Sequence, residues 1–157
     1  QVDTVAAYVS MADEPPTTML LDRLHRRGLT VLLPVLLADL DLDWAVHRLG
    51  DLRSGRLGLL EPAGERRGFD AIGLAQLICC PGLAGSAEGL RLGRGGGSYD
   101  RALGRARPAA VRCLLVYDDE VLADIPVEPH DQRVDALVTP TRTLVAPLER
   151  AGLSPQG

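Results

Sequence analysis

Between positions 91 and 101 the chain reads Arg91-Leu92-Gly93-Arg94-Gly95-Gly96-Gly97-Ser98-Tyr99-Asp100-Arg101. Four glycines within five positions let the backbone take positive φ and leave main-chain N–H groups open to a ligand. Tyr99 to Arg107 reads as a short helix with Ala102 and Leu103 facing inward. A glycine-rich loop opening a helix binds anions, because unpaired N–H groups and the helix dipole point at the ligand. Arg91, Arg94 and Arg101 add forked cationic donors suited to phosphate or carboxylate. Asp100, a carboxylate in this basic setting, suits a Mg²⁺ shared with bound phosphates. The run lacks the Gly-Lys-Ser/Thr end of a Walker A loop, and Ser98 stands where the last glycine of G-x-G-x-x-G would fall. Taken alone, it is either an anion site or a glycine turn with solvated arginines.

The elements that must carry this loop belong to one domain of 157 residues, long enough for a real core. Apolar residues make up 46% but aromatics only 3%, so the core must be built mostly of Leu, Val and Ala. A net charge of −4 argues against a nucleic-acid partner, which would need a basic face. Cys79, Cys80 and Cys113 have no metal-ligand spacing and lie in apolar runs, which reads as buried thiols in a reducing compartment. No apolar run approaches membrane-spanning length and no signal peptide opens the chain, so a soluble cytoplasmic monomer is expected.

In chain order, the apolar residues of 1–10 predict a buried strand that begins almost at the first residue, and Met11 to Pro16 predict a turn. A helix follows, with Thr17 or Thr18 as N-cap, Leu20, Leu21 and Leu24 on one face, and Gly28 just past its end. Leu29 to Pro34 is a second strand, making a parallel βαβ unit. Asp39, Asp41 and Asp43 alternate with Leu40, Leu42 and Trp44, which predicts a half-exposed strand with a solvated acidic face; a cation site here is the weaker reading. Residues 49–64 read as loop and turn, 73–81 as the third buried strand, and 82–89 as an irregular connection. Val111 to Tyr117 and Val134 to Val138 are further strands, Val121 to Val127 a short edge element, and Thr141 onward a tail. His25 and His47 are placed on surface faces. Strands alternating with helices predict an α/β fold, an open mostly parallel sheet flanked by helices on both faces. Its ligands bind outside the carboxyl ends of the strands.

Four segments together resemble the 5-formyltetrahydrofolate cyclo-ligase family, also called methenyltetrahydrofolate synthetase. They are Ser10-Met11-Ala12-Asp13-Glu14, Pro81-Gly82-Leu83-Ala84, the run from Arg91 to Arg101, and Glu128-Pro129-His130-Asp131 with Val134-Asp135 following. They span nearly the whole chain in the family's order, and the Arg-Leu-Gly-Arg-Gly-x-Gly-x-Tyr-Asp core is the specific one.

The resemblance implies a three-layer fold like that of sugar-phosphate isomerases and CoA transferases. It also implies an ATP-driven conversion of 5-formyltetrahydrofolate to 5,10-methenyltetrahydrofolate through an iminium phosphate, with ADP and phosphate released. By the same resemblance, Arg91, Leu92, Gly93, Arg94, Gly95, Gly96, Gly97, Ser98 and Tyr99 would bind ATP, with Arg94 and Asp100 catalytic. Asp100 and Asp131 would hold Mg²⁺, and Val9, Met11, Glu14 and Ser98 would contact the folate. His130 is expected to be structural or ligand-adjacent. A Ser98, His130 and Asp131 triad lacks the Gly-x-Ser-x-Gly elbow.

The chain departs from the family where Gly96 replaces a lysine, where Ser98 replaces a tyrosine, and in showing no match to the family's N-terminal helical segment. A second reading is therefore a truncated or non-catalytic homologue that binds folate or nucleotide without turnover. A third is another phosphate-binding enzyme on the same sheet, for which no acid/base constellation stands out.

Overall fold

Alternation along the first strand sends Val5 and Ala7 to one side and Ala6 to the other, and all three are buried. A strand apolar on both faces belongs at the centre of a covered parallel sheet. The computed structural model describes residues 1–147 and places it there. β1 (Thr4–Ala6) pairs in parallel with β2 (Thr30–Leu36) on one side and β6 (Leu77–Cys80) on the other. β9 (Val111–Leu115) and β10 (Ala136–Val138) extend the parallel run beyond β6. Antiparallel edges close it, β3 (Leu42–Val46) against β2 and β11 (Thr143–Val145) against β10. The order is β11-β10-β9-β6-β1-β2-β3.

Each face has its own core. Leu21 and Leu24 of α1 (Thr18–Arg26) pack on Val5, Ala7, Val31 and Leu33. Ala102 and Leu103 of α2 (Ser98–Gly104) pack on the other face with Ile72, Trp44 and Leu114. α1 starts and stops where its residues dictate. Arg23, His25 and Arg26 fill its last turn, favourable beside the carboxyl end of the dipole, and Gly28 takes φ 73° just beyond. Thr17 is the N-cap residue, yet its hydroxyl does not cap the helix. It donates to the Tyr8 carbonyl at 2.8 Å and accepts the Ser10 N–H at 2.9 Å, stapling the β1 loop to the helix start.

Several local expectations are corrected. Asp39 and Leu40 lie in a tight turn that precedes β3, with Leu40 at φ 67°. Of the three aspartates only Asp39 is exposed. Asp41 is buried against Arg105, and Asp43 accepts the N–H groups of Trp44 and Gly68. Residues 49–64 contain a hairpin of β4 (Leu52–Ser54) and β5 (Leu60–Pro62). The irregular 82–89 connection contributes β7 (Ala84–Gly85), which pairs with β8 (Arg91–Leu92), so the glycine-rich run begins in a strand. Val121 to Val127 yields only an isolated bridge to Gly85. The tail from Thr141 includes edge strand β11, while residues 148–157 lie outside the described part. Strands of two or three residues are too short to show a period, which is why they read as loops.

Candidate functional site

From β1 the chain moves to one neighbour, β2, while β6, β9 and β10 build outward on β1's other side. The crevice between β1 and β6 is thus the switch point of the sheet, where open α/β folds bind ligands at the strands' carboxyl ends. Two segments leave strands there. The β1 loop runs from Tyr8 to Glu14, and Pro81-Gly82 follows β6.

Glu14 is 7% exposed, unusual for a carboxylate. Its Oε1 accepts the Met11 N–H at 2.8 Å, its own N–H donates to the Met11 carbonyl at 3.1 Å, and the Tyr117 hydroxyl donates to its carbonyl at 3.1 Å. Its Oε2 lies 3.9 Å from Arg94 Nη2. Beside it, Val9, Ser10, Met11 and Ala12 line one wall of a cavity of about 250 Å³. Gly58, Leu59 and Leu60 of the β4–β5 hairpin form the other wall. Val9, Met11 and Glu14, assigned to the substrate by resemblance, therefore share one end of the sheet. Nothing in the glycines and leucines of the hairpin wall signals more than a turn in the sequence.

The glycine-rich run leaves β8 and reaches α2 through Gly95 at φ 99° and Gly97 at φ 70°, values that other residues rarely adopt. α2 has seven residues, shorter than the expected helix to Arg107, so its dipole adds little at its N-terminal end. The three arginines have different surroundings. Arg91 is turned into the fold: Nε donates to the Pro81 carbonyl at 2.8 Å, and the guanidinium lies 5.3 Å from the Tyr99 ring centroid. Arg94 is half exposed and meets Asp13 at 3.2 Å, bridging the glycine loop to the β1 loop. Arg101 and Ser98 both donate to the Leu40 carbonyl, so Ser98 is not the hydroxyl of a triad with His130. The Tyr8 and Tyr99 hydroxyls are buried without partners, and burial pushes both phenols well above their ordinary range.

Asp100, at the start of α2, and Asp131, in the loop before β10, come together with His130. One ligand atom from each lies within 4.8 Å of the others. Backbone groups orient both carboxylates. The Gln132 N–H donates to Asp100 Oδ1 at 3.1 Å, and the Glu128 N–H to Asp131 Oδ2 at 2.7 Å. Second oxygens remain for a cation, and hard oxygen donors suit Mg²⁺. His130 Nε2 faces Glu128 at 3.3 Å and Asp131 at 3.6 Å.

His25 and His47 are not the surface residues expected. His47 is 6% exposed, its Nδ1 lies 3.0 Å from Asp51 Oδ1, and the two imidazoles meet edge to face at 4.7 Å. They sit on α1 and after β3, away from the crevice.

Residues 1–140 match the model of the 5-formyltetrahydrofolate cyclo-ligase family. A 5-formyltetrahydrofolate cyclo-ligase of Mycolicibacterium smegmatis is 43% identical over 148 residues, covering 91% of this chain and 76% of the relative. The enzyme of that name from Escherichia coli K12 is 32% identical over 143 residues, covering 88% and 79%. The NMR structure of Aquifex aeolicus 5,10-methenyltetrahydrofolate synthetase superposes with a TM-score of 0.77 at 27% identity, over 99% of this chain and 77% of that one.

Proposed function

The chain belongs to the 5-formyltetrahydrofolate cyclo-ligase family, a family of enzymes, and from that premise we propose an ATP- and Mg²⁺-dependent ring closure at the β1/β6 crevice. In this reading the formyl oxygen of 5-formyltetrahydrofolate attacks the γ-phosphorus of ATP and ADP leaves. The N10 nitrogen then attacks the activated formyl carbon, phosphate departs with the former formyl oxygen, and N10 loses its proton. The product is 5,10-methenyltetrahydrofolate. Phosphoryl transfer of this kind asks mainly for positioning and charge neutralisation.

The observation that carries the reading is the convergence of Glu14, Arg94 and the glycine loop at one crevice, with the Asp100 and Asp131 pair at the far end of that loop. The N–H groups of Gly93 to Gly97 receive the triphosphate, and Arg94, released from Asp13, adds a mobile cation. Arg91 holds the Pro81 turn and the Tyr99 ring in place beneath it. Asp100 and Asp131 hold Mg²⁺, which supplies charge neutralisation to the phosphates when bound. Glu14 accepts hydrogen bonds from the pterin's amino group and ring N–H, and Val9 and Met11 pack on the ring. We read residues 1–157 as one domain acting as a cytoplasmic monomer. No helix among the described residues is long and apolar enough to cross a membrane.

The test follows the methenyl product by its near-ultraviolet absorbance, with and without ATP and Mg²⁺. Turnover that needs both supports the reading. Folate or ATP binding without turnover favours the non-catalytic alternative, which Gly96 and Ser98 motivate. Binding of neither ligand defeats both.

A further inference from the structure

The β2–β3 turn, residues 37–41, has no part in the function as proposed, yet it is hydrogen-bonded to two residues of α2, Ser98 and Arg101, at the end of the glycine loop. Ser98 Oγ donates to the Leu40 carbonyl. Arg101 Nη2 donates to the same carbonyl at 3.0 Å and to the Gly96 carbonyl at 3.2 Å. The side chain of Leu40 also rests on the loop, since a Cβ built on Gly96 would meet its Cδ1 at 3.3 Å.

The turn is itself fixed. Arg105 grips Asp41 with two hydrogen bonds of 2.7 Å, and Asp39 Oδ1 accepts the Asp41 N–H at 3.0 Å. The Leu40 N–H donates to the Leu37 carbonyl at 3.0 Å, and the Leu37 N–H to the Asp41 carbonyl at 2.9 Å. This closure requires Leu40 at φ 67°, a left-handed conformation that a leucine rarely adopts. Backbone held in a sparsely populated region persists only where its surroundings over-determine it, and such positions cluster at functional sites.

We propose that Leu40 is a positioning residue for the anion-binding loop, its carbonyl clasping Ser98 and Arg101 so that the Gly93 to Gly97 N–H groups are aimed before a polyphosphate arrives. The inference rests on the reading of that loop as the ATP site. A loop with four glycines is otherwise costly to order, and a fixed clasp removes part of that cost from binding. The clasp also accounts for the chain's own replacements. Ser98 is short enough to reach the Leu40 carbonyl, and Gly96 leaves room for the Leu40 side chain.

Two substitutions at position 40 separate backbone from side chain. Valine is disfavoured at positive φ and displaces the carbonyl, whereas glycine adopts that φ at no steric cost. Leu40→Val is expected to raise KM for ATP about tenfold, the worth of roughly one hydrogen bond. Its kcat at saturating ATP and its KM for 5-formyltetrahydrofolate should hold. Leu40→Gly is expected to raise the ATP KM several-fold less, with circular dichroism confirming that both variants fold. Ser98→Ala should move the ATP KM in the same direction as valine. Calorimetry with ATP alone gives the same comparison without turnover. A valine variant that binds ATP as the wild type does, or valine and glycine variants that lose affinity equally, overturns the clasp and leaves the ATP site standing. A wild-type chain that binds no ATP overturns both.

Discussion

Asp100 and Asp131 each have one carboxylate oxygen held by a backbone N–H, and the two side chains approach within 4.8 Å from separate segments. Arg91 Nη1 lies 3.7 Å from Asp100 Oδ1 and offsets part of this charge, and hard carboxylate oxygens brought this close suit a divalent cation. Asp100→Asn and Asp131→Asn are each expected to weaken Mg²⁺ or Mn²⁺ binding by at least about tenfold. Titration calorimetry with the metal and ATP checks this, and turnover should fall in parallel. Retention of full metal affinity by both variants would remove these carboxylates from the metal site.

A substitution at Glu14 should separate the two proposed ligands. Glu14→Gln keeps the side chain's shape but replaces one acceptor oxygen with a donor. Affinity for 5-formyltetrahydrofolate is expected to fall about tenfold, with ATP affinity within about twofold of wild type. An equal loss for both ligands would mean that the β1 loop, and not the pterin contact, had been disturbed.

Asp41 makes the fold sensitive to acid. The hydrogen bonds from Arg105 hold its carboxyl below the ordinary range, outweighing burial, which acts the other way. Its contribution, about 2 kcal/mol for hydrogen bonds between charged groups, is complete above the unfolded value near 4 and disappears as pH falls through the folded one. Denaturant melts at pH 7 and pH 3 should show a smaller acid-induced loss in Asp41→Asn than in wild type. The substitution itself should lower stability at neutral pH.

His25 acts in a different window. Burial and then the neighbouring His47 depress its pKa below the ordinary 6.5. The unfolded chain therefore takes the proton first as pH drops below about 6.5, and stability declines until the folded form protonates as well. Between pH 7.5 and 5.5 the urea midpoint is expected to fall in wild type and to fall less in His25→Gln. Identical pH dependence in the two would show that this imidazole does not titrate as its contacts imply.

The thiols should be inert. Burial pushes Cys79 up to about 12 and Cys80 up to about 11, so neither is a thiolate at neutral pH. A disulfide reagent is expected to leave both unreacted in the native protein and to label all three cysteines once it is denatured. Rapid native labelling of Cys79 or Cys80 would contradict the packing.

The parts legible in the sequence were those with a period or a fixed chemical signature. Val5 to Ala7 and Ile78 to Cys80 announced buried strands, and the Thr17 to Gly28 punctuation announced α1. The glycine run with Asp100 singled out a candidate site. What the sequence could not show depends on long-range pairing. The Asp39, Asp41 and Asp43 alternation resembles a half-exposed strand, but Arg105 claims the Asp41 carboxylate and the Trp44 and Gly68 N–H groups that of Asp43 after the chain has folded. His25 and His47 meet only because β3 returns beside β2. The β4–β5 hairpin becomes a cavity wall for the same reason, and no local pattern in Gly58 to Leu60 reports it.

The central position of β1 has a kinetic consequence. Its β2 partner follows soon along the chain, but its other partner, β6, comes only after the β3 edge and the β4–β5 hairpin. As a ribosome extends the chain, β1 therefore emerges well before one of its two hydrogen-bonding edges can be satisfied. Distant pairings of this sort are slow to form and leave an unpaired edge exposed in the interval. The crevice between β1 and β6 closes with that same late pairing. The candidate crevice thus cannot form until β6 has emerged, and the nascent chain is most open to wrong partners before Leu77 to Cys80 arrives.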